Sequence, residues 1–342
     1  MKTLSLFFAA LLLWSFDVSA QDEPYYKDKT IKIIVGFTPT GAVDLWARLF
    51  ARHMSKHLAG RPEFIVQNVA GAGSMIAANQ LFNVVKPDGQ TLGMVSTSLY
   101  FDQLVGRKEV QFDWSKFAWI GSPTRNEELL YVRTDSPYKS LDDIRKASQP
   151  PRCGATGAGT TSHYFPRFLE DALGLKFNIV LGYPGTREIE LAAEKGEVHC
   201  IGATMEIIKR EPSRTWLKKG LIRILVQGGS RRDPILPDVP TIYELMEQHK
   251  TPADLKRFAT VLLSPGDFGR PMVGPPGLPG NLVKILRDGY RKTTTSEEFL
   301  SDARKRDSDV EYTSGEDLEA LAKKVIAQPP EVVERLKKIL GE

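Results

Sequence analysis

Residues 36–50 read GFTPTGAVDLWARLF and combine a turn of small residues with the start of a helix. An apolar strand at Ile31–Val35 leads into this turn, which contains Pro39, Thr40 and Gly41. The first backbone N–H groups of a helix have no partner inside the helix and point outward, where the helix dipole also favours an anion. Because the turn contains no Lys or Arg, we expect amide and hydroxyl groups to hold that anion.

The same arrangement recurs along the chain. Residues 68–74 read NVAGAGS, residues 154–164 read GATGAGTTSHY and residues 182–188 read GYPGTRE. An anion taken out of water costs several kcal/mol unless it finds new partners, and hydrogen bonds to a charged group return about 1.5–3 kcal/mol each. The repetition predicts one anionic ligand held from several sides, with Arg187 as an optional contact for a second anionic group.

Strands and helices alternate in a way that places these turns together. Two α/β units are expected, and both present loops at the carboxyl ends of parallel strands, where open α/β sheets bind ligands. Ser140 and Ser314 are expected to cap helices, and Pro329 to end one. The predicted strands are Ile31–Val35, Phe64–Gln67, Thr91–Val95, Arg152–Ala155, Asn178–Leu181, Val198–Ile201 and Ile222–Val226.

The N-terminus has the pattern of a signal peptide. Lys2 precedes the apolar run Leu4–Phe16, which is too short to anchor the chain in a bilayer. Small residues then lead to Ala20, so we expect residues 1–20 to be removed and the mature chain to be exported to the periplasm.

Composition and motifs argue against several other classes of protein. The formal net charge is only +4, and Lys and Arg are scattered rather than gathered in the stripe of a nucleic-acid binder. Phosphate-loop, dinucleotide and nucleophile-elbow motifs are missing from the sequence, so no enzyme, cofactor or metal site is predicted. The leading enzyme alternative is a periplasmic hydrolase using Ser162 and His163, although neighbouring residues point poorly at one another.

Cys153 and Cys200 are the two cysteines of the chain. Both fall on predicted neighbouring strands, and an oxidising compartment favours a bridge between them. Adjacent parallel strands can also hold the two Cα atoms badly for a disulfide. Two small buried apolar residues therefore remain the alternative.

Seven segments in this order resemble the Bug or TctC family, the solute-binding proteins of tripartite tricarboxylate transporters. The resemblance implies a type II-like periplasmic binding protein, with two doubly wound α/β domains joined by a two-segment hinge. Domain 1 would be 22–128 plus 262–342, and domain 2 would be 129–261. The segments are GFTPTGAVDLWAR, NVAGAGSMIAANQL, PDGQTLGM, SPYKSLDDI, GATGAGTTSHY, GYPGTREIELAAEKGEVHCIG and LPDVPTIYEL.

The resemblance also implies which residues contact the ligand. Simpler interpretations stay open for some of them: Asp44 as a helix-stabilising acid, Thr160 and Thr161 as caps, and His163 and Tyr183 as packing residues. The implied set is Phe37, Thr40, Gly41, Ala42, Asp44, Ala72, Ser96, Thr97, Ser98, Gly159, Thr160, Thr161, Ser162, His163, Tyr183 and Gly185.

The partners follow from the same resemblance. It implies a monomer that binds a small carboxylate in the cleft between its domains and delivers it to a membrane permease of the tripartite tricarboxylate type. A protein that presents its ligand to a sensor kinase is the alternative.

Overall fold

The computed structural model describes residues 23–229 and 231–340. The predicted signal peptide and the cleavage position after Ala20 lie outside the described residues. The strands are β1 (Thr30–Val35), β2 (Glu63–Asn68), β3 (Thr91–Met94), β4 (Ala118–Ser122), β5 (Glu128–Arg133), β6 (Arg152–Gly154), β7 (Asn178–Val180), β8 (Cys200–Thr204), β9 (Ile222–Gln227), β10 (Met272–Gly274) and β11 (Thr313–Ser314).

Helices alternate with the strands along the chain, and short 3-10 helices follow several elements, including one at Met205–Lys209 directly after β8. The α-helices are α1 (Ala42–His53), α2 (Met75–Asn83), α3 (Leu99–Val105), α4 (Leu141–Lys146), α5 (Thr161–Leu173), α6 (Thr186–Glu194), α7 (Ser213–Lys218), α8 (Ile242–Gln248), α9 (Ala253–Leu262), α10 (Ser264–Phe268), α11 (Gly280–Thr294), α12 (Glu297–Arg304), α13 (Gly315–Ile326) and α14 (Pro330–Leu340).

The strands form two sheets, each with a parallel part and an antiparallel insertion. The first sheet has the order β11-β4-β10-β3-β1-β2, and the second has the order β7-β6-β8-β5-β9. Strands β1, β2 and β3 are parallel, as are β6, β7 and β8. Strand β10 runs antiparallel in the first sheet, and β5 runs antiparallel in the second. We call the parts built on these sheets the first lobe and the second lobe.

This architecture confirms the predicted α/β fold class with two sheets. It differs from the prediction in four further strands, because β4, β5, β10 and β11 were not predicted. Strand β8 begins two residues later than expected, at Cys200. The domain boundaries at 128/129 and 261/262 stay a prediction.

The local signals for helix ends are confirmed. Ser140 caps α4 by accepting a hydrogen bond from Asp143 N–H, and Ser314 caps α13 in the same way from Asp317 N–H. Helix α13 ends at Ile326, before the two prolines. In the described part of the chain, none of the helices combines the length and apolarity that crossing a bilayer requires.

The two lobes touch each other along the cleft between the sheets. Gly157 of the second lobe approaches Gly73 of the first so closely that a Cβ on Gly157 would lie 3.3 Å from Gly73 N. A Cβ on Gly185 would lie 2.5 Å from Thr38 Oγ1. The cleft is therefore narrow, and residues from both lobes face the same small space.

Candidate ligand-binding site

A cavity of about 110 Å³ lies in the cleft, lined by residues of both lobes. It is smaller than the roughly 150 Å³ cavity that can hold a benzene molecule, so a ligand enclosed in it is small and meets both lobes. Its polar lining comes from two groups of residues. The amide set consists of the starts of α1, α5 and α6 with Ser96 and Thr97, and the arginine set consists of Thr204, Glu206, Arg210 and Arg270.

The start of α1 faces the cavity through Gly41, Ala42 and Val43. Within the described residues no side chain caps this helix, or α5 or α6. The first amides of all three helices therefore keep hydrogen-bonding capacity for a ligand, and their dipoles favour an anion. Uncapped starts occur elsewhere in the chain, but these three meet on one cavity.

The turn before α1 is held by Asp44, which is buried and points away from the cavity. Its carboxylate accepts hydrogen bonds from Thr40 N–H at 2.9 Å, from Arg48 Nε at 2.8 Å and from Asn68 Nδ2 at 2.9 Å. Burial alone would raise the pKa of Asp44, but the bonds from Arg48 and Asn68 lower it. Asn68 Nδ2 also reaches Phe37 O at 2.9 Å, so this network fixes the shape of the turn.

At the start of α5 the hydroxyl groups of Thr160 and Ser162 form a short chain of hydrogen bonds, which we call the relay. Thr156 N–H donates to Ser162 Oγ at 3.2 Å, and Ser162 Oγ lies 3.1 Å from Thr160 Oγ1. Thr160 Oγ1 in turn donates to Gly157 O at 2.7 Å. Since Thr160 gives its proton to that carbonyl, Ser162 donates to Thr160. Both hydroxyl protons are used in hydrogen bonds within the turn. The backbone amides at the start of α5 are therefore the groups that remain for a ligand.

The remaining contribution to the amide set comes from Ser96 and Thr97, which follow β3. Ser96 N–H donates to Ser74 Oγ at 3.1 Å, and the Ser96 and Ser98 hydroxyls lie 3.1 Å apart. Ser74 packs directly against Gly36, where an added Cβ would lie 1.7 Å from Ser74 Oγ. Gly36 is therefore required by this close approach, which brings the turns after β1 and β2 together.

The centre of the arginine set is Glu206, in the 3-10 helix after β8. Its carboxylate accepts from Trp46 Nε1 of the first lobe at 2.6 Å, from Arg270 Nη2 at 2.7 Å and Arg270 Nε at 2.9 Å, and from Asn126 Nδ2 at 3.1 Å. Arg270 Nη2 also reaches Thr204 Oγ1 at 3.2 Å. Glu206 thus joins both lobes and the crossing segment before β10.

Arg210 is held by a second carboxylate. Its Nη1 donates to Glu190 Oε2 at 3.1 Å, and Glu190 Oε1 accepts from Ser213 Oγ at 2.7 Å. Glu190 is completely buried, and burial raises its pKa although Arg210 opposes the change. The guanidinium of Arg210 is thereby positioned at the cavity wall.

The sequence matches the family described as the tripartite tricarboxylate transporter family receptor over residues 46–338. The chain belongs to this family. Such receptors are periplasmic solute-binding proteins and not an enzyme class, and the resemblance inferred from the sequence is confirmed. A curated relative, the "UPF0065 protein in gbd 5'region" of Cupriavidus necator, is 27% identical over 333 residues, which cover 96% of this chain and 93% of the relative.

Solved structures support the fold of the receptor. The periplasmic binding protein BugD has a TM-score of 0.72 at 20% identity, covering 92% of this chain and 98% of BugD. MatC from Rhodopseudomonas palustris with bound malate has a TM-score of 0.69 at 22% identity, covering 91% of this chain and 99% of MatC. R. palustris Rpa4515 with adipate has a TM-score of 0.70 at 23% identity, covering 92% of this chain and 97% of that protein.

The structure of the receptor brings together about half of the residues that the sequence suggested for the site. The residues that line the cavity are Phe37, Gly41, Ala42, Ser96, Thr97, Thr160, Thr161, Ser162 and Gly185. Those that do not line it are Thr40, Asp44, Ala72, Ser98, Gly159, His163, Tyr183 and Arg187.

His163 lies behind the cavity rather than in its wall. Its Nδ1 accepts a hydrogen bond from Gly159 N–H at 3.3 Å. Burial, with Arg167 and Arg107 adding to it, lowers the pKa of His163 to about 4, so the ring is neutral at pH 7. Since His163 bonds to Gly159 and Ser162 bonds to the relay, the two side chains are not arranged as a nucleophile and its base.

The arginine set and its buried partner Glu190 were missed by sequence reasoning. Glu206 and Arg210 could have been suspected, because they follow β8 and the carboxyl ends of strands were expected to carry ligand loops. Arg270 gave no such signal, since it precedes a short antiparallel strand whose position in the sheet is decided by tertiary pairing.

The two cysteines form a disulfide between β6 and β8. Their Cα atoms lie 4.6 Å apart, and Cys153 and Cys200 are the single registered residue pair between these strands. The bridge joins the strand that leads to the start of α5 with the strand that leads to Glu206.

Proposed function

We propose that this receptor captures a small organic carboxylate in the cleft and delivers it to a membrane transporter of the tripartite tricarboxylate type. The observation that carries the proposal is the convergence of three uncapped helix starts on one small cavity. Their amides supply hydrogen bonds and their dipoles supply a positive potential, which together compensate a carboxylate for leaving water.

Capture involves closure of the two lobes over the ligand. Two polar contacts across the cleft support this. Glu206 of the second lobe accepts a hydrogen bond from the Trp46 indole of the first lobe, and Lys209 forms an ion pair with Asp309 at 2.6 Å. A ligand held by both lobes favours the form in which they meet. Small-angle scattering is expected to give a smaller radius of gyration with a saturating ligand, and an unchanged radius from an open apo form would contradict closure.

Binding itself is tested by a thermal-shift screen of mono-, di- and tricarboxylates on the mature protein. A ligand at 100 times its dissociation constant stabilises the folded protein by about 2.7 kcal/mol. We expect at least one carboxylate to produce a shift of this kind. Amines and neutral amides of the same size should produce none.

The role of the helix starts is tested by Ala42→Asp, which places a negative charge at the first residue of α1. Acidic residues are tolerated in a first helical turn, so we expect folding to persist while carboxylate binding falls at least 10-fold. Gly280→Asp is the matched control, because Gly280 begins α11 outside the cavity and an added Cβ there meets no atom within 4 Å. Equal affinities of the two variants would refute the proposal.

The transporter as partner is tested in the cell. Deleting the gene for the receptor should abolish growth on the bound carboxylate, and deleting the permease gene should have the same effect. If only a transcriptional response to the carboxylate is lost, the receptor presents its ligand to a sensor kinase instead. Mass spectrometry of the exported protein, with Gln21 expected at its N-terminus, checks the cleavage after Ala20.

A further inference from the structure

The arginine set offers hydrogen-bond donors to the cavity while its acceptors are already occupied. One oxygen of Glu206 takes the Trp46 indole N–H, and the other takes two N–H groups of Arg270 and one of Asn126. Four donors on one carboxylate leave little capacity for a further donor from a ligand. Glu206 therefore fixes Arg270 in place rather than presenting a negative charge to the cavity.

The same holds for the carboxylate behind Arg210. Glu190 is completely buried, and its oxygens are taken by Ser213 and Arg210. A ligand in the cavity cannot reach it. The two carboxylates that accompany the two guanidinium groups are thus both occupied, and neither is placed to receive an ammonium group.

The guanidinium groups themselves keep unused donors. Arg270 Nη1 has as its acceptor only Gly269 O at 3.5 Å, among the residues that the structure describes, and that distance is at the limit for a hydrogen bond. Arg210 Nη1 donates to Glu190 Oε2 at 3.1 Å and lies 3.4 Å from Glu211 O, whereas its Nη2 group has no acceptor among the same residues. Both side chains line the cavity, and a guanidinium is well shaped to bind a carboxylate.

We propose that Arg210 and Arg270 form a second anion subsite, so that the ligand of this receptor is a short dicarboxylate and not a monocarboxylate or an amino acid. One carboxylate binds at the amide set and the other at the arginine set, within a cavity of about 110 Å³. This inference rests on the proposed function, because it assigns the ligand class of the same site.

The subsite is tested by calorimetric titration with three probes of similar size. Succinate carries two carboxylates, butyrate carries one, and 4-aminobutyrate carries one carboxylate with an ammonium group at the other end of the chain. We expect the wild-type protein to bind succinate at least 10-fold more tightly than either of the others. Glutarate and adipate extend the series and give the preferred chain length.

Two variants assign this preference to the arginines. Arg270→Lys keeps a cation beside Glu206 but removes the planar fork, and Arg210→Met with Glu190→Gln removes the second guanidinium without leaving a buried charge. Each is expected to weaken succinate binding about 10- to 100-fold and butyrate binding less than 3-fold. Lys195→Met, on the exposed turn after α6, is the control for loss of a positive charge. Circular dichroism confirms that the variants fold.

The outcomes separate the inference from the proposed function. If butyrate or 4-aminobutyrate binds as tightly as succinate, or if both variants lose butyrate and succinate equally, the second subsite is refuted while carboxylate binding stands. If Arg187→Ala abolishes the preference and the two variants retain it, the second anion is held by Arg187 instead. If no carboxylate binds the wild-type protein, the proposed function fails as well.

Discussion

The amide set and the arginine set line the same cavity but are built in opposite ways. The amide set uses backbone groups at three helix starts, and the hydroxyls of Thr160 and Ser162 are used within the turn before α5. The arginine set uses long charged side chains, each held by a carboxylate. Backbone donors bind any anion of suitable size, whereas positioned guanidinium groups favour a ligand whose second group is a carboxylate. The amide set therefore accounts for binding of an anion in general, and the arginine set accounts for selectivity among anions.

The largest expected effect comes from cutting the covalent link between β6, which leads to the start of α5, and β8, which leads to Glu206. The disulfide spans 47 residues, and removing such a loop constraint costs about 4 kcal/mol in the free energy of unfolding. Cys153→Ala with Cys200→Ala should therefore unfold at a clearly lower urea concentration than the oxidised wild-type protein. Wild type treated with a reductant is the control and should resemble the variant. Coincident curves for oxidised wild type and variant would contradict the expectation.

The next effect belongs to the amide set and depends on pH. His163 has a pKa of about 4 in the folded protein and about 6.5 when unfolded, so the unfolded chain binds the proton more readily. The stability that neutral His163 contributes is complete above pH 6.5 and is lost as the pH falls towards 4, by about 3 kcal/mol. Urea unfolding between pH 4 and 7 should show a shallower acid loss for His163→Asn than for wild type. His249→Asn, at an exposed position, should follow wild type.

A smaller effect is expected at the arginine set. Glu206→Ala leaves Arg270 and the Trp46 indole without their shared acceptor, which should lower the free energy of unfolding by about 2–3 kcal/mol. Glu206→Gln retains an acceptor and should cost less than half as much. Equal destabilisation by the two substitutions would mean that Glu206 acts through packing rather than through hydrogen bonds. Thermal unfolding of the two purified variants makes this comparison.

The smallest effect is expected at the ion pairs outside the cavity that join the lobes. Asp309 pairs with Lys209 and Asp307 pairs with Arg214, and both carboxylates are exposed to solvent, where such pairs contribute little to stability. Asp307→Asn with Asp309→Asn should weaken carboxylate binding less than 10-fold at low salt. The difference should vanish at 1 M salt, where the charges are screened. Calorimetry at both salt concentrations measures this difference, and a loss of more than 10-fold in affinity would show that the pairs have a larger role.

The amide set was largely predictable because its information is local. Each of its turns joins a strand to a helix within a few residues, and small residues at Gly41, Thr160 and Gly185 mark the helix starts. The confirmed caps at Ser140 and Ser314 rest on the same kind of signal. What the turns could not reveal is the direction of each hydroxyl, so the relay of Thr160 and Ser162 emerged only from the structure.

Arg270 was not predictable from the sequence, because tertiary pairing of strands brings it to Glu206 and Arg210. Arg270 enters the cavity because β10 is inserted antiparallel between β3 and β4, whereas alternating strands and helices predict parallel neighbours. The partner carboxylate Glu206 lies 64 residues away in the chain. No spacing within one segment encodes such a pair, and the same reason explains why β4 and β5 were missed.

The placement of the disulfide affects the rigidity of the cavity wall. Strands β6 and β8 share one registered pair, Cys153 with Cys200. The covalent bond therefore reinforces the least extensive strand pairing in the second sheet. It keeps the turn before α5 and the segment carrying Glu206 from shifting relative to each other. The bond therefore limits how far these two parts of the cavity wall can move apart, whether or not a ligand is present.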